Sequence, residues 1–380
     1  TDMKKVAIIR GKFLNRYEMQ FFEPLVKDFA ITAFGSLTPY HDRFAFPVVK
    51  LPSPMDLPDF PYKMPILNRL FIDAHYLVGL EEKLRRLPAG RQGFDLVHSA
   101  ETYYHYTQQA LNAKKRGYVK KVVATVLETI PFNNEGIWGR TAFKARARQA
   151  LDGIIAFTQK SKQALVKEGA DPKKITVIGH FIDTRRFTPT KAVKNPHTIT
   201  ILFSGRLEKY KGVYDLLYAF AQLLADRSSS HTNLKLLMAG NGSERNNLRA
   251  LERQLGIGNR ISHIEVPYEQ MPEVYREADI FVAPSIPTKT WEEQYCTALL
   301  EAQASGLAIV TTATGGILEN IGDAGLVVPP GDIIALTRAL MRFIVDSRLR
   351  KHYAGKARKR AETVHDALIG ARKMKDFYTK

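Results

Sequence analysis

Short apolar runs alternate with longer amphipathic ones along the chain. Strands are predicted at 6–9, 96–98, 122–126, 153–157 and 175–178. After a break come further strands at 198–203, 235–239, 261–264, 280–283, 308–311 and 325–328. The spacing predicts helices over 71–86, 213–224 and 243–255. Residues 87–93 read as a loop, and the proline-rich 39–65 as irregular. The break itself, 188–196, carries prolines and lysines and reads as a linker. Strands alternating with helices imply parallel sheets. Two successive doubly wound halves follow, and such sheets bind ligands at the carboxyl ends of their strands. The 347–380 tail is helical in pattern and very basic. No repeat at a fixed period and no low-complexity segment is visible.

Composition narrows this picture. The chain has 380 residues, enough for about two or three domains. Its apolar fraction of 45% suits folded cores. Lys and Arg total 56 against 38 Asp and Glu, a net charge of +18. That surplus attracts anionic partners, whether nucleic acid, an anionic membrane or a phosphorylated substrate, and charge alone does not choose among them. The single cysteine, Cys296, cannot form an internal disulfide, so a reducing cytoplasm is the expected setting. No apolar run reaches the ~18 residues that span a bilayer. Residues 1–5 lead straight into the 6–9 strand, unlike the longer apolar core of a signal peptide. A protein working at a membrane would therefore sit on its surface.

Three segments carry chemistry. Ser204-Gly205-Arg206-Leu207-Glu208-Lys209-Tyr210-Lys211-Gly212 follows a strand and precedes a helix. Its glycines permit close backbone approach, and Arg206 and Lys211 can meet phosphate oxygens. A departing diphosphate needs such cations, because negative charge builds on it as its bond breaks. The same pattern also describes a basic loop capping a strand. Next, Met238-Ala239-Gly240-Asn241-Gly242-Ser243-Glu244 is a strand ending in a glycine-rich turn, either a nucleotide contact or a plain connection. Finally, Glu293 and Glu301 lie eight residues apart, with a helix expected from about Thr297. Helix N-terminus and cations would meet phosphates while carboxylates accept hydrogen bonds from sugar hydroxyls. A purely structural Glu301 is the competing reading.

Together these segments resemble the retaining glycosyltransferases of family 4. The family order is Gly-Arg…Lys-Gly, then Gly-x-Gly, then Glu-x7-Glu. Here those are Gly205-Arg206…Lys211-Gly212, Gly240-Asn241-Gly242 and Glu293…Glu301. Ala278-Asp279-Ile280-Phe281-Val282-Ala283-Pro284-Ser285 looks like the family's strand before the Glu segment. Gly179-His180-Phe181-Ile182-Asp183-Thr184-Arg185-Arg186-Phe187 looks like its interdomain signature. The resemblance covers most of the second half, and the first half only in architecture.

It implies an α/β fold of the GT-B type, two Rossmann-like doubly wound domains facing each other across a cleft. The implied boundaries are an acceptor-side domain at 1–192, a donor domain at 193–355, and a helix at 356–380 packing back on the first domain. The implied reaction moves a sugar from a nucleotide-diphosphate sugar, with retention and without metal or other cofactor. A UDP-sugar is favoured as donor and a GDP-sugar is possible. Arg206 and Lys211 would hold the diphosphate, Glu301 the ribose, and Glu293 the transferred sugar. Backbone near Glu265 and Val266 would meet the base. Gly205, Gly240, Asn241, Tyr295, Cys296 and Thr297 complete the implied donor site. Cys296 stands where the family usually has glycine.

The acceptor half offers Glu128 and no histidine where many relatives carry one. Glu128 and Glu101 are candidate contacts to donor sugar or acceptor, with Gly11, Lys12 and His98 on the acceptor side. His98 also reads as a satisfied, partly buried histidine. Arg140, Lys144, Arg146 and Arg148 fall on one predicted helix, and Lys114, Lys115, Arg116, Lys120 and Lys121 form a second cluster, with aromatics at Tyr103-Tyr104-His105-Tyr106. They read as a solvated face or as contact with an anionic membrane carrying a lipid-linked or glycan acceptor, at the cytoplasmic face. No nucleic-acid module is recognisable. Alternatives to transfer are a sugar epimerase, a phosphorylase, or a nucleotide-sugar-binding protein without turnover.

Overall fold

The computed structural model describes residues 3–85, 93–190, 192, 195, 197–229 and 232–380. The chain divides into two compact units. Thr1–Phe181 together with Ala367–Lys380 make the first, and Ile182–Asp366 the second. These ends differ from the expected 192 and 355.

Among the described residues the first unit is built on seven strands: β1 (Lys5–Gly11), β2 (Ala30–Gly35), β3 (Val48–Lys50), β4 (Leu96–Ala100), β5 (Lys121–Val126), β6 (Gly153–Ala156) and β7 (Ile175–Val177). Every pairing is parallel, in the order β3-β2-β1-β4-β5-β6-β7. Successive residues of a strand face opposite sides. Ala7 and Ile9 enter one core with Val97, Ala124 and Ile154. Val6 and Ile8 enter the other with Val123 and Ile155. Burial of both faces is why these strands read as unbroken apolar runs. The helix Ala367–Thr379 lays Ala367, Ala371, Met374 and Tyr378 on that second face.

The second unit has six strands among the described residues: β8 (Thr198–Ser204), β9 (Asn233–Ala239), β10 (Ile261–Ile264), β11 (Ile280–Ala283), β12 (Ala308–Thr312) and β13 (Leu326–Val328). They too are all parallel, in the order β10-β9-β8-β11-β12-β13. In each unit the strand order reverses beside the first strand, between β1 and β4 and between β8 and β11. The loops leaving those strands are where a doubly wound sheet opens to ligand.

Several expectations are corrected. The predicted helix over 71–86 is two helices, Lys63–Phe71 and Leu80–Arg85, with irregular chain between; Arg86 lies outside the described residues. Ile72 takes a left-handed backbone, with φ of +65°. Asp73 beyond it is fully buried and accepts from the amides of His75 and His105 and from Arg140. A buried carboxylate needing that many donors pulls the chain out of helix. The stretch 39–65 is not uniformly irregular: it contains β3, the turn Pro54–Asp56 and the start of a helix. Strand β2 was missed altogether. Residues 87–92 of the predicted loop, and 191, 193–194 and 196 of the linker, lie outside the described residues.

Candidate functional site

In the second unit, β8 ends at Ser204 and the chain turns through Gly205 and Arg206 into a short 3-10 turn, Lys209–Lys211. Gly212 then starts the helix Val213–Ala225 in left-handed conformation, with φ of +71°. A Cβ here would lie 1.9 Å from the Pro284 carbonyl oxygen, so only glycine lets this loop meet the end of β11. The same holds at Gly240, where a Cβ would lie 2.1 Å from the Gly205 carbonyl oxygen. Gly205, Arg206 and Lys211 are thereby drawn together with the Gly240-Asn241-Gly242 turn. The Leu207 amide donates to the Asn241 carbonyl at 2.9 Å.

The segment after β11 closes on this loop. Lys211 Nζ forms an ion pair with Glu293, whose carboxylate also accepts from Ser285 Oγ at 2.7 Å. Glu293 is buried at 5% exposure, and its carbonyl accepts the Gly316 amide at 2.7 Å. Lys211 Nζ also sits 5.0 Å over the Trp291 ring, which packs 4.2 Å from Tyr210, while the Arg206 guanidinium lies 5.3 Å from the Tyr210 centroid. Two cations and a carboxylate thus share an aromatic shelf at the switch point. Sequence reasoning missed Tyr210, Ser285 and Trp291; the interleaving of aromatics with Arg206 and Lys211 was the available signal.

The helix Thr297–Ala304 begins where expected, and Glu301 sits one turn inside it. Glu301 is buried, and its carboxylate accepts from the Tyr275 hydroxyl at 2.7 Å. Burial pushes its carboxyl up to about 7, with the tyrosine hydroxyl bonds pulling the other way. Cys296, just before the helix, has φ of +59°. A residue with a Cβ is strained there, and glycine is not. Burial pushes its thiol up to about 12, so it stays a neutral SH and is no nucleophile at ordinary pH. Tyr295 is buried, and its carbonyl accepts from Asn320 Nδ2. Asn241 Nδ2 donates to the exposed Glu265 at 3.1 Å, with Val266 adjoining.

In the first unit the predicted residues divide. Gly11 ends β1 above the Tyr106 ring, and Lys12 donates to Thr38 Oγ1 at 2.7 Å. His98 is wholly buried, 2.5 Å from the Tyr378 hydroxyl and 2.6 Å from Thr125 Oγ1; burial holds it neutral. Glu101 follows β4 with φ of +51° and accepts from the Leu127 amide at 2.9 Å. Its second oxygen is buried without a partner among the described residues, and burial pushes its carboxyl up to about 8. Glu128 is bound by the amides of Thr129 and Ile130 and by Asn133 and Asn134. Glu101 and Glu128 line one small cavity with Tyr103, Lys144 and Glu168, room for about one water.

The cations of the basic helix Arg140–Ala150 are held by partners within the first unit. Arg140 pairs with Asp73 at 2.9 Å, Lys144 with Glu168 at 2.6 Å, and Arg148 with Glu168 at 3.0 Å, all well buried. In the second cluster Lys114, Arg116 and Lys120 pair with Asp152, Glu81 and Asp95.

A group that sequence reasoning missed centres on His75. Its Nδ1 lies 2.9 Å from the Asp73 carboxylate. Its ring stacks on Tyr104 at 4.2 Å and packs 4.9 Å from Phe13. His75 Nε2, the Tyr106 hydroxyl and Arg10 Nη2 are buried with no hydrogen-bond partner among the described residues. Buried polar atoms are nearly always satisfied, so these await water or a ligand. The spacing Asp-x-His after an apolar run carried the only hint. No group of three or more metal-ligating side chains occurs among the described residues.

Known proteins resemble the chain in sequence and in architecture. Residues 184–360 match the family of glycosyl transferases group 1, and residues 38–186 match Glycosyltransferase Family 4. The chain belongs to the family 4 glycosyltransferases. It is 26% identical over 293 residues to a phosphatidylinositol N-acetylglucosaminyltransferase subunit of Arabidopsis thaliana, covering 73% of this chain and 63% of that protein. It is 32% identical over 222 residues to the D-inositol 3-phosphate glycosyltransferase of Geodermatophilus obscurus, covering 53% and 48%. The alignments thus span about half to under two thirds of these relatives. Among solved structures, Anabaena HepE in complex with UDP and glucose superposes with a TM-score of 0.76 at 16% identity, over 100% of both chains. A Rickettsia africae glycosyltransferase gives 0.76 at 18% identity, over 100% of this chain and 98% of that one. At such identities the likeness is one of fold, and the fold is GT-B: two Rossmann-like units on seven- and six-stranded parallel sheets.

Proposed function

We propose that this family 4 glycosyltransferase moves a sugar from a nucleotide-diphosphate sugar to a hydroxyl-bearing acceptor, with retention and without a metal. The observation that carries the reading is the Arg206–Lys211–Glu293 group at the β8/β11 switch point. Two cations stand ready for a diphosphate, and a carboxylate beside them is ready for sugar hydroxyls. As the glycosidic bond breaks, charge developing on the leaving diphosphate falls beside Arg206 and Lys211. Those cations take the role a metal would otherwise fill. Glu301 accepts from the ribose, while backbone at Gly205, Gly240, Asn241, Cys296 and Thr297 approaches donor oxygens. Glu265 and Val266 lie toward the base, which we assign as uracil over guanine. HepE, solved with UDP, supports that order.

The first unit takes the acceptor, a glycan or lipid-linked polyol. Gly11, Lys12, Glu101 and the unpartnered His75 Nε2 are its contacts, and Asp73 positions the imidazole. The relatives named for inositol substrates support a polyol. Work on a lipid-linked acceptor puts the protein at the inner face of a membrane, and no described helix is long and apolar enough to cross one. A thermal-shift screen across UDP- and GDP-sugars tests the donor, since a ligand of the folded state raises the melting point by mass action. Transfer with the matching donor, followed by anomeric NMR of the product with and without chelator, tests the rest. Stabilisation by no nucleotide sugar, or an inverted product, would sink the proposal.

A further inference from the structure

Two rings stand between the two cations of the second unit. The Arg206 guanidinium lies 5.3 Å from the Tyr210 centroid, Tyr210 packs 4.2 Å from Trp291 at an angle of 49°, and Lys211 Nζ lies 5.0 Å over the Trp291 ring. The order is cation, ring, ring, cation. Burial raises the pKa of the Tyr210 hydroxyl, and the charges of Arg206 and Lys211 pull it the other way, so both cations are felt at that ring.

The backbone holds this arrangement from both sides. The Ile286 amide donates to the Tyr210 carbonyl at 2.8 Å, which ties the loop after β11 to the Lys209–Lys211 turn. The Thr288 amide donates to the Trp291 carbonyl at 2.7 Å and closes that loop on itself. Pro287, Thr288, Lys289 and Thr290 are exposed, whereas Trp291 is half-buried. Neither ring joins the apolar core built on Ile201, Leu236 and Val282. Their faces are turned to cations instead. An aromatic face is electron-rich, and that of tryptophan binds a cation best. Two like charges drawn close repel, and long side chains are free to swing apart. Glu293 holds Lys211 by charge, and the rings link Lys211 to Arg206.

We propose that Tyr210 and Trp291 are positioning residues, which hold Arg206 and Lys211 at a separation that meets two linked phosphates. The rings thereby make the site prefer a nucleoside diphosphate to the monophosphate. This rests on the proposed donor, a nucleotide-diphosphate sugar, and adds which side chains select its diphosphate.

Titration calorimetry of the full chain with UDP and UMP, and with GDP and GMP, tests it. The native protein should bind one diphosphate more tightly than the matching monophosphate. Trp291→Leu should weaken the diphosphate about tenfold and leave the monophosphate nearly unchanged. Trp291→Phe, which keeps a ring face, should stay within about threefold of native. In a Lys211→Met background Trp291→Leu should add little, because the ring acts through Lys211. Equal losses for diphosphate and monophosphate in Trp291→Leu would overturn the inference and make the ring a structural prop. So would native diphosphate affinity in that variant, or a loss as large when Lys211 is already gone. A native protein that prefers neither diphosphate to its monophosphate would instead overturn the proposed donor, which separates that failure from this one.

Discussion

The two units share a sheet plan, yet their switch points are furnished differently. In the second, the loops leaving β8 and β11 present Arg206, Lys211 and Glu293 on the Tyr210–Trp291 shelf. In the first, the loops leaving β1 and β4 cover a buried network, in which Asp73 holds His75 and Arg140 and neighbouring polar atoms lack partners among the described residues. On the proposed function, the difference follows from ligand chemistry. A diphosphate has one charge pattern, and cations on a glycine-shaped loop answer it. Acceptors vary, so their contacts are assembled from scattered side chains on a common frame.

Breaking the buried network should have the largest effect. Asp73→Ala strands Arg140 in the interior and should destabilise the fold by about 3–5 kcal/mol, read by denaturant unfolding. A loss under about 1 kcal/mol would mean that the two switch points are not built so differently. Lys211→Ala should lower transfer by about 10²–10³-fold, with a smaller loss of stability than Asp73→Ala because Lys211 is partly exposed and Ser285 still donates to Glu293. Turnover near the native level would remove the second unit's claim to the donor.

The pH dependence separates the units more finely. Glu101 has its folded pKa raised to about 8, above the unfolded value near 4.5. The protonated carboxyl is therefore favoured by folding. Its contribution is full below about 4.5 and is lost as pH rises to about 8. Glu101→Gln cannot titrate, so it should raise the melting point at about pH 8 relative to native and change it little at about pH 4.5. A uniform shift across pH would place the carboxyl's effect in packing instead. Smallest should be Cys296→Gly, which relieves a left-handed backbone and should stabilise by about 1 kcal/mol with transfer retained or raised. A fall in melting point would show that the thiol's packing outweighs the strain.

The second unit was largely legible in the sequence because its signals are local. Glycines at Gly212 and Gly240 are demanded by neighbouring carbonyls, and Glu301 lies on a helix whose start was readable at Thr297. Glu293's ion pair was not legible, since its partner Lys211 lies 82 residues away. In the first unit the strands β1, β4, β5, β6 and β7 were readable from burial on both faces. The break at Ile72 was not, because it answers to Arg140 and His105, far along the chain. For the same reason a basic run at 140–148 looked like surface: a sequence shows charges but not the buried carboxylates that meet them.

The helix Ala367–Thr379 also sets an order of events during synthesis. It belongs to the first unit, where Tyr378 reaches His98 and Met374 and Ala371 cover the Val6–Ile8 face. Those early strands leave the ribosome long before their cover does, while residues 182–366 are complete before residue 367 is made. The second unit can therefore mature first, and the sheet that begins the chain is sealed only afterwards. Until then an apolar sheet face and a histidine stand in water, which is the interval in which a folding helper would be needed most.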